Sequence, residues 1–470
     1  MRDDAIRIWR AGVDSVNSSQ AVSRAVIVQD DSLVIAGQRF KLSDVNRVEV
    51  VGAGKAGAGM AAGFELVLQN TAWFDRLSGW VNVPSDCLRS LQKIHLHPGR
   101  PPGVNEPTKE VINGTNEIVR RVQSLGSRDL CIVLLSGGAS ALLCSPVEGV
   151  SLEDKLQLTR MLAASGAPIQ ELNLVRTQLS NVKGGRLARR CSSGHMITLV
   201  ISDVIGDPLD VIGSGPTYPA KARPDEALAV LKKRGLIDKV PLSVLQTLQH
   251  IDAGSSSFGN VERGPVHHEI VASNRIAIEH ACREANRLGY EVVEVMQDVR
   301  GDAATQGRLM HQKLLHLRDS VRLESSKRLC VLGGGETTVN VASTSGPAGK
   351  GGRNQEFVLA ALAAEPSPMA WSGIALVSGG TDGEDGPTDA AGAFCDAAVA
   401  VSATSHIPSA SESIERHDSW TFLNNLNALI RTGPTHTNVM DVFVGVVHGA
   451  VMGSTPERCV PKAPEADVCM

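Results

Sequence analysis

Glycine clusters that carry charged or hydroxyl side chains recur along the chain, and they are the places where its chemistry is expected. The first, residues 52–57 with the sequence GAGKAG, fits the GxGxxG pattern in which backbone N–H groups at a helix start hold a pyrophosphate. Lys55 lies inside this turn, where its ammonium group would meet the bound oxyanion. The cluster predicts a phosphate-bearing ligand, with a solvated lysine at a helix start as the alternative.

The second cluster, SGGASA at residues 136–141, has features of a substrate site. Gly137 and Gly138 permit close approach to the backbone, and the hydroxyl groups of Ser136 and Ser140 can bind carboxylate or hydroxyl oxygens. The alternative is a tight strand-to-helix turn without a ligand.

The third cluster, SDVIGDP at residues 202–208, contains two carboxylates at the end of an apolar run. Asp203 or Asp207 would suit Mg²⁺, which takes one or two carboxylates together with phosphate oxygens. Asp203 could also accept a proton from an attacking hydroxyl group, or it could cap the next helix.

Three further clusters lie in the second half of the chain. GGGETT at residues 333–338 has the form of another strand-to-helix turn, and GKGGRNQE at residues 349–356 places Arg353 after a basic glycine loop. The guanidinium group of Arg353 suits bidentate recognition of phosphate or carboxylate, with an exposed loop of incidental charge as the alternative. TDGEDGPTD at residues 381–389 has four acids that could help hold a metal ion or simply form a solvated loop.

Short apolar runs precede these clusters and would position them. Residues 47–51, 130–135, 196–201, 328–332 and 374–377 are mostly continuous apolar stretches rather than alternating ones. Continuous apolar strands are typical of parallel sheets with helices on both faces. The pattern therefore predicts an α/β fold, in which ligands bind beyond the carboxyl ends of the strands.

Amphipathic segments of helical length separate the strands. Residues 152–164 follow a capping signal formed by Ser151 and Asp154, and residues 274–288 precede a strand at 290–296. A third helix-like segment, 172–188, carries several polar and cationic residues that form either an anion-binding face or a solvated face: Asn173, Arg176, Lys183 and Arg186.

Composition excludes several classes of function. The 470 residues suggest two or three domains, and 46 Lys plus Arg against 50 Asp plus Glu provide no basic surface for nucleic acid or anionic lipid. Aromatic residues are only 3% of the chain, too few for base-stacking platforms. The first 20 residues lack the apolar core of a signal peptide, so the cytoplasm is the expected location, with no membrane partner.

Taken in order, these clusters resemble the glycerate 2-kinase family, whose second domain is known as MOFRL. The resemblance runs from about residue 5 to 441 and includes the segments 152–155, 172–176, 183–187 and 214–217 as well. It implies two α/β domains with largely parallel sheets and an active site in the cleft between them. The implied divisions are a Rossmann-like domain at 1–255, a smaller MOFRL-type domain at 256–441 and an atypical, partly disordered tail at 442–470.

The resemblance also implies a reaction: phosphorylation of the small molecule D-glycerate by ATP with Mg²⁺, with 2-phosphoglycerate favoured over 3-phosphoglycerate as the product. Lys55 and Arg353 would be the catalytic cations and Asp203 their acidic partner. The remaining expected roles are substrate binding by Ser136, Gly137, Gly138, Ser140, Asn173 and Arg176, nucleotide binding by Gly52, Gly54, Gly334, Glu336, Thr337 and Asp382, and metal binding by Asp203 and Asp207.

Two other functions remain open from the sequence. A nicotinamide-dependent oxidoreductase would need an acidic ribose ligand about 20 residues after the first cluster, where Asp75 lies after a poor strand. A catalytically silent binder of nucleotide or sugar acid is suggested by Ala139 and His436, which stand where the family usually has glycine. The oligomeric state is not predictable from the sequence.

Overall fold

The computed structural model describes residues 1–104, 106–219, 223–250, 264–321, 327–341 and 349–449. Two six-stranded sheets, each covered by helices, form two α/β units, and a small three-stranded antiparallel sheet adjoins the first unit. The α/β class and the two-unit organisation expected from the sequence are confirmed. The strands of the small sheet are β1 Val26–Gln29, β2 Ser32–Ile35 and β3 Gln38–Lys41.

The first sheet is parallel throughout, as expected. Its order is β6-β5-β4-β7-β8-β9, and its central strands are buried and almost wholly apolar because helices cover both faces. The register pairs Val51 with Val133 and aligns the carboxyl ends of neighbouring strands. The strands are β4 Arg47–Ala53, β5 Leu77–Pro84, β6 Ile94–Arg100, β7 Asp129–Leu135, β8 His195–Ile201 and β9 Val266–Ala272.

The second sheet is mixed, which corrects the expectation that both sheets are largely parallel. Its order is β10-β11-β15-β12-β13-β14, and only the pair β10–β11 is parallel. The physical reason is that β15 enters between β11 and β12 and runs antiparallel to both. The strands are β10 Glu291–Asp302, β11 Arg328–Thr338, β12 Ile374–Gly380, β13 Gly392–Asp396, β14 Leu429–Ile430 and β15 Asp441–His448.

The helices include the expected ones. Ser151 and Asp154 form a capping box at the start of the helix that follows them, and another helix starts at Asn274. The helices are α1 Arg2–Ser15, α2 Ser18–Ala25, α3 Gly57–Leu68, α4 Lys109–Gln123, α5 Ala139–Leu142, α6 Leu152–Ala164, α7 Ile169–Gln178, α8 Arg186–Arg190, α9 Pro224–Lys233, α10 Leu242–His250, α11 Asn274–Arg287, α12 Ala303–Val321, α13 Arg353–Ala364, α14 Ala397–Ala403, α15 Ala410–Glu415 and α16 Ser419–Asn425.

The segment 172–188 is not one helix. It is divided between α7 and α8, because Gly184 and Gly185 adopt positive φ angles of 60° and 78° that an α-helix cannot contain. The turn between the two helices buries Lys183 completely.

The two units share elements across the expected division at residue 255, which itself lies outside the described residues and stays a prediction. β9, at 266–272, completes the first sheet, whereas α1 packs on α11 and on the second sheet. Trp9 of α1 is fully buried and donates a hydrogen bond from its indole N–H to the carbonyl oxygen of Gly379, at the end of β12.

The first residues of the expected tail at 442–470 belong to the fold. Residues 442–448 belong to β15, whose apolar side chains are almost all buried between two neighbouring strands. A central strand position is the physical reason why this apolar run is ordered. Residues 450–470 lie outside the described part of the chain.

Among the described helices, none is both long enough and apolar enough to cross a membrane.

Candidate active site

Three loops of the first sheet meet beyond the carboxyl ends of its adjacent strands β4, β7 and β8. The backbone N–H of Lys55 donates to the carbonyl oxygen of Gly137 over 2.8 Å, and the N–H of Ala56 donates to Oγ of Ser136 over 3.0 Å. The loop after β4 is therefore fastened directly to the loop after β7, which brings the first two predicted clusters together.

Asp203, in the loop after β8, lies against Gly137. A methyl group built on Gly137 would lie 2.8 Å from Cγ of Asp203, well inside van der Waals contact. Burial raises the pKa of Asp203, the charge of Glu336 raises it further, and Lys55 lowers it. Both the cation Lys55 of the first unit and the carboxylate Glu336 of the second therefore act on Asp203, so the predicted catalytic residues of the first unit lie near each other.

The side chain of Lys55 is exposed at this site and forms no hydrogen bond or ion pair with any described residue. It passes over Gly138, whose φ of 81° is in the left-handed region; a methyl group there would lie 3.3 Å from Cγ of Lys55 and from Nη2 of Arg100. Arg100, at the end of β6, is almost fully buried. Two cations therefore flank the glycine turn that the sequence predicts as a substrate site.

Arg353 supplies the cation of the second unit. It is the first residue of α13 and makes a bidentate ion pair with Asp441, with Nε–Oδ2 and Nη2–Oδ1 distances of 2.7 and 3.0 Å. Its Nη1 lies 3.0 Å from Oε1 of Glu336. Burial lowers the pKa of Arg353, but the hydrogen bond to Asp441 and the charges of Asp441, Glu336 and Asp385 outweigh burial and raise it. Arg353 is therefore always charged and held in one orientation.

Asp441 and Asp385 form the support of Arg353. Asp441 is fully buried and also accepts a hydrogen bond from Nδ2 of Asn354 over 2.9 Å. Asp385 accepts the backbone N–H groups of Asn354 and Gln355 at the start of α13. Burial raises the pKa of Asp385 to about 6. This acid of the 381–389 cluster thus orients the helix that carries Arg353 rather than extending into solvent.

Asp382, a predicted nucleotide ligand, lies in the same network. Burial raises the pKa of Asp382, the negative charges of Asp441 and Glu384 raise it further, and the positive charge of Arg353 lowers it. Its Oδ1 accepts the backbone N–H of Glu384 over 3.1 Å.

A buried lysine, Lys183, holds the predicted glycerate loop (residues 136–140) in place through hydrogen bonds. Nζ of Lys183 donates to the carbonyl oxygens of Ser140 and Gly213 over 3.0 and 3.2 Å, and the hydroxyl groups of Ser140 and Ser214 are 3.1 Å apart. Burial lowers the pKa of Lys183 well below its ordinary value, and the charges of Arg176 and Lys155 lower it further.

Arg176 extends this group of cations. It lies on the last turns of α7, largely buried, and burial lowers its pKa. Together with Lys155, Lys183 and Arg186 it forms a cationic cluster that has no ion pair with any acid in the described residues. Asn173, three residues before Arg176, is half-buried on the same helix. Such a cluster is suited to an anionic ligand.

The glycines of the first cluster have a packing role. Methyl groups built on Gly52 and Gly54 would lie 2.9 Å from Cβ of Leu134 and from the carbonyl carbon of Ser136, respectively. The N–H groups of residues 55 and 56 are already donated to the neighbouring loop, so they do not form a dinucleotide cradle. Asp75 precedes β5, at the end opposite to the site. These observations disfavour the oxidoreductase alternative.

The remaining predicted nucleotide residues lie along the end of β11. Gly334 packs closely against Asn274. A methyl group on Gly334 would lie only 2.7 Å from Cγ of Asn274. The hydroxyl group of Thr337 is buried and has no hydrogen-bond partner among the described residues. Glu336, which lies between Gly334 and Thr337 in the sequence, forms the ion pair with Arg353, and its side chain is 47% exposed.

Sequence reasoning missed three supporting residues: Arg100, Asp441 and Asp385. The sequence does contain a signal for Asp441, since an acid directly before an apolar run of six residues, 442–447, is typical of a strand-end carboxylate. Arg100 has no such signal, since it follows a strand interrupted by Pro98 and Gly99.

Within the described ranges, no group of three or more His, Cys, Asp or Glu side chains forms a metal site. Mg²⁺ needs fewer protein ligands, because it keeps several waters and takes one or two carboxylates with phosphate oxygens. The carboxylates of Asp203 and Glu336 repel each other, and Asp207 follows on the same loop as Asp203. Asp203 and Glu336 therefore fit a Mg²⁺ ion that enters with a nucleotide, whereas metal binding by Asp207 stays a prediction.

The two halves of the chain match two families. Residues 4–249 match a domain of unknown function, DUF4147, and residues 329–441 match the MOFRL family.

Curated relatives match over most of the chain. A protein from Danio rerio named glycerate kinase is 35% identical over 93% of this chain and 96% of its own length. One from Pyrococcus horikoshii named glycerate 2-kinase is 33% identical over 95% of this chain and 97% of its own.

Two solved structures share the fold. That of the PH0495 protein from Pyrococcus horikoshii superposes with a TM-score of 0.81 at 31% identity, covering 96% of this chain and 99% of that one. A glycerate kinase structure from Thermotoga maritima gives 0.77 at 30% identity, covering 95% and 99%. With both domain families matched in order and relatives aligned along nearly the whole length, the chain belongs to the glycerate 2-kinase family.

Proposed function

We propose that this chain is a kinase that transfers the γ-phosphate of ATP to a hydroxyl group of D-glycerate, with 2-phosphoglycerate favoured as the product. The observation that carries the proposal is the meeting of Lys55 and Asp203 from the first sheet with Glu336 and Arg353 from the second. Family membership supports the same reaction, because the relatives are named glycerate kinases.

Lys55 and Arg353 neutralise the phosphoryl group during transfer. Phosphoryl transfer needs little covalent chemistry from the protein and depends on positioning and on stabilising charge at the phosphate oxygens. Arg353 is pre-oriented by its bidentate pair with Asp441, whereas Lys55 has no protein partner among the described residues and is available to an anion.

Asp203 orients the glycerate hydroxyl and accepts its proton. Its burial favours this role, because a raised pKa makes a carboxylate a stronger base at neutral pH. A Mg²⁺ ion bound with the nucleotide, held by Asp203 with Asp207 or Glu336, would neutralise charge on the phosphate oxygens.

Glycerate itself binds at the loop 136–140 and the neighbouring cations. The positive-φ glycine at 138 leaves room over the backbone, and the Ser140 hydroxyl lies at the start of α5. Arg176 supplies a cation for the glycerate carboxylate, since it has no acidic partner of its own among the described residues.

Ala139 does not support the alternative of a catalytically silent binder. This residue is the first of α5, its φ is not positive, and its buried methyl group is accommodated beside Gly213. An alanine there is compatible with an open substrate loop.

The test is a coupled ADP-release assay with ATP, Mg²⁺ and D-glycerate, in which the product is resolved as 2- or 3-phosphoglycerate. We expect ADP formation that requires glycerate and falls at least about 10³-fold in Lys55→Ala and Arg353→Ala, with folding retained. Lys109→Ala, an exposed lysine at the start of α4, is a matched control. ADP binding without glycerate-dependent turnover in the wild-type protein would instead support the silent binder.

A further inference from the structure

A chain of three polar side chains ends at the half-buried Ser140. Oγ of Ser140 and Oγ of Ser214 are 3.1 Å apart, and Nζ of Lys183 lies 3.4 Å from Oγ of Ser214. Ser214 and Lys183 are almost completely buried, whereas Ser140 is partly exposed. The chain therefore connects a buried amine to a hydroxyl group on the loop 136–140. The reaction proposed above assigns a chemical role only to Ser140.

Backbone hydrogen bonds hold this chain in place. The N–H of Gly184 donates to the carbonyl oxygen of Ser214 over 3.0 Å, and the N–H of Gly185 donates to that of Gly215 over 2.7 Å. The turn that carries Lys183 is thus tied to the turn that carries Ser214. Ser214 has a φ of 63°, in the left-handed region where a side chain is strained. Such strain is concentrated at functional sites, so the hydroxyl group of Ser214 points to a function.

The surroundings of Lys183 favour its neutral form. The side chain is fully buried, and its three hydrogen-bond partners among the described residues are uncharged oxygens. Burial and the positive charges of Arg176 and Lys155 lower the pKa of Lys183 well below its ordinary value, and the thiol of Cys144 opposes this shift. A neutral amine has two N–H groups and one lone pair, so Lys183 can act as a base.

The neutral amine also sets the direction of the hydrogen bonds. Nζ of Lys183 donates to the carbonyl oxygens of Ser140 and Gly213 over 3.0 and 3.2 Å, which uses both of its N–H groups. Its lone pair then accepts the hydroxyl hydrogen of Ser214, and Oγ of Ser214 accepts that of Ser140. A serine whose proton can move to an adjacent base is an activated nucleophile, and lysine is an established base for serine.

The charges beside the loop suit an acyl-transfer reaction. A methyl group on Gly138, two residues before Ser140, would lie 3.3 Å from Cγ of Lys55 and from Nη2 of Arg100. Positive charge at this position stabilises the negative oxygen that develops when a hydroxyl group attacks a carbonyl carbon. We propose that Ser140 is the nucleophile of a second, hydrolytic activity toward small esters, with Lys183 as the base and Ser214 as the proton relay between them.

The reaction needs only the ester and water. Oγ of Ser140 forms a bond to the carbonyl carbon, while its proton passes to Ser214 and the proton of Ser214 passes to Nζ of Lys183. The bond to the alcohol then breaks, and the alcohol takes a proton from Lys183 back through Ser214. Water attacks the acyl-serine along the same relay, releases the carboxylic acid and restores Ser140.

Labelling with diisopropyl fluorophosphate tests the nucleophile directly. This reagent forms an O–P bond with an activated serine and releases fluoride. In the wild-type protein, peptide mass spectrometry should show Ser140 modified at least about 10²-fold faster than in the urea-unfolded chain. Ser136, whose Oγ accepts the N–H of Ala56, is the internal reference and should stay unmodified. An unmodified Ser140, or an adduct on Lys55 instead, would overturn the proposal.

Turnover of p-nitrophenyl acetate tests the hydrolytic step. We expect the wild-type protein to release several equivalents of p-nitrophenol per chain, and Ser140→Ala to reduce the rate at least about 10²-fold. A rate that is the same in Ser140→Ala would assign the hydrolysis to other groups and contradict the proposal. Labelling of Ser140 without turnover of the ester would contradict the hydrolytic activity.

Two variants test the relay. Ser214→Gly removes the hydroxyl group and relieves the strained φ, so it should fold and slow both reactions at least about 10²-fold. Asn70→Gly, an exposed residue with a φ of 64°, is the matched control and should react at the wild-type rate. Lys183→Arg keeps a hydrogen-bonding cation that cannot accept a proton, so it should be equally slow.

Each variant has an outcome that would contradict the relay. Labelling of Ser140 within about threefold of the wild-type rate in Ser214→Gly would show that no proton passes through Ser214. The same result in Lys183→Arg would show that Lys183 has only a structural role. If Lys183→Arg does not fold, Ser214→Gly decides.

These outcomes are separable from those of the proposed function, because neither assay contains ATP or glycerate. A reactive Ser140 in a protein without glycerate-dependent ADP release would leave the hydrolytic site standing and remove the kinase reaction. Kinase turnover with an inert Ser140 would do the reverse.

Discussion

Gly137→Ala tests whether the contact between two loops of the first sheet sets the position of the base. The added methyl group would lie 2.8 Å from Cγ of Asp203, whereas ordinary contacts between carbon atoms are about 3.5–4.0 Å. The backbone of Gly137 does not have a positive φ angle, so alanine itself introduces no strain there. The carboxylate must therefore move by about 1 Å.

A displacement of that size predicts the effect on rate. A 1 Å misplacement of a catalytic group can cost about 10²-fold, which corresponds to about 2.7 kcal/mol of transition-state stabilisation. We expect kcat/KM for glycerate to fall by about this factor in the coupled ADP-release assay, with little change in melting temperature. Gly126→Ala is the control, since its nearest neighbour would be an ordinary 3.8 Å away.

A double-mutant cycle separates a local effect from a general one. In an Asp203→Ala background the obstruction is gone, so Gly137→Ala should cost much less than it does alone. The reasoning would be refuted if kcat/KM of Gly137→Ala stayed within about threefold of the wild-type value. Activity would then not require Asp203 to lie where it contacts Gly137.

Three further predictions concern the supports of the site and the fold. Asp441→Asn removes the fully buried carboxylate that pairs with the partly exposed Arg353, so it should lower the free energy of unfolding by about 3 kcal/mol in urea denaturation and reduce kcat. Lys183→Met keeps the volume of the side chain but removes its hydrogen bond to Ser140, so KM for glycerate should rise about tenfold and KM for ATP should not change. His311 is buried with no hydrogen-bond partner for Nε2 in the described part of the chain, and burial lowers its pKa to about 4, so the folded state resists protonation. The stability that comes from a neutral His311 is therefore present above pH 6.5 and is lost as the pH falls toward 4. We expect the free energy of unfolding to fall by about 2 kcal/mol between pH 7 and 4.5 from this group alone. Denaturation of His311→Phe at the two pH values should not show this part of the decrease.

Each of these has a result that contradicts it. Unchanged kcat in Asp441→Asn would show that Arg353 needs no pre-orientation. Equal changes in both KM values for Lys183→Met would indicate general damage rather than a shifted glycerate loop. An identical dependence on pH in His311→Phe would exclude His311 as the titrating group.

The centre of the first sheet and its loops were predictable because β4, β7 and β8 are nearly continuous apolar runs followed by glycine or Ser-Asp turns. A parallel sheet covered on both faces requires such runs, and parallel strands align their carboxyl ends, so Lys55, Gly137 and Asp203 were expected to meet. Arg353 was predicted to follow a basic glycine loop, and that it is the first residue of α13 comes from the structure.

The second sheet was less predictable, because the order of its strands depends on contacts between distant residues. Nothing local in the apolar run 442–447 indicates that it enters between β11 and β12, or that Asp441 meets Arg353 from 88 residues away. The burial of Lys183 was hidden for a different reason. Gly184 and Gly185 directly precede α8, and the pattern of polar and cationic residues over 172–188 does not reveal that the chain turns there.

The central position of β15 has a consequence for biosynthesis. A growing polypeptide emerges from its first residue onward, so β11 and β12 leave the ribosome before the strand that joins them. Until residues 441–448 emerge, both strands have an unpaired edge, and α1, made first, has no completed surface on which to pack. The second unit, and with it the orientation of Arg353, can therefore form only after translation has passed residue 448, while the first sheet is already free to fold.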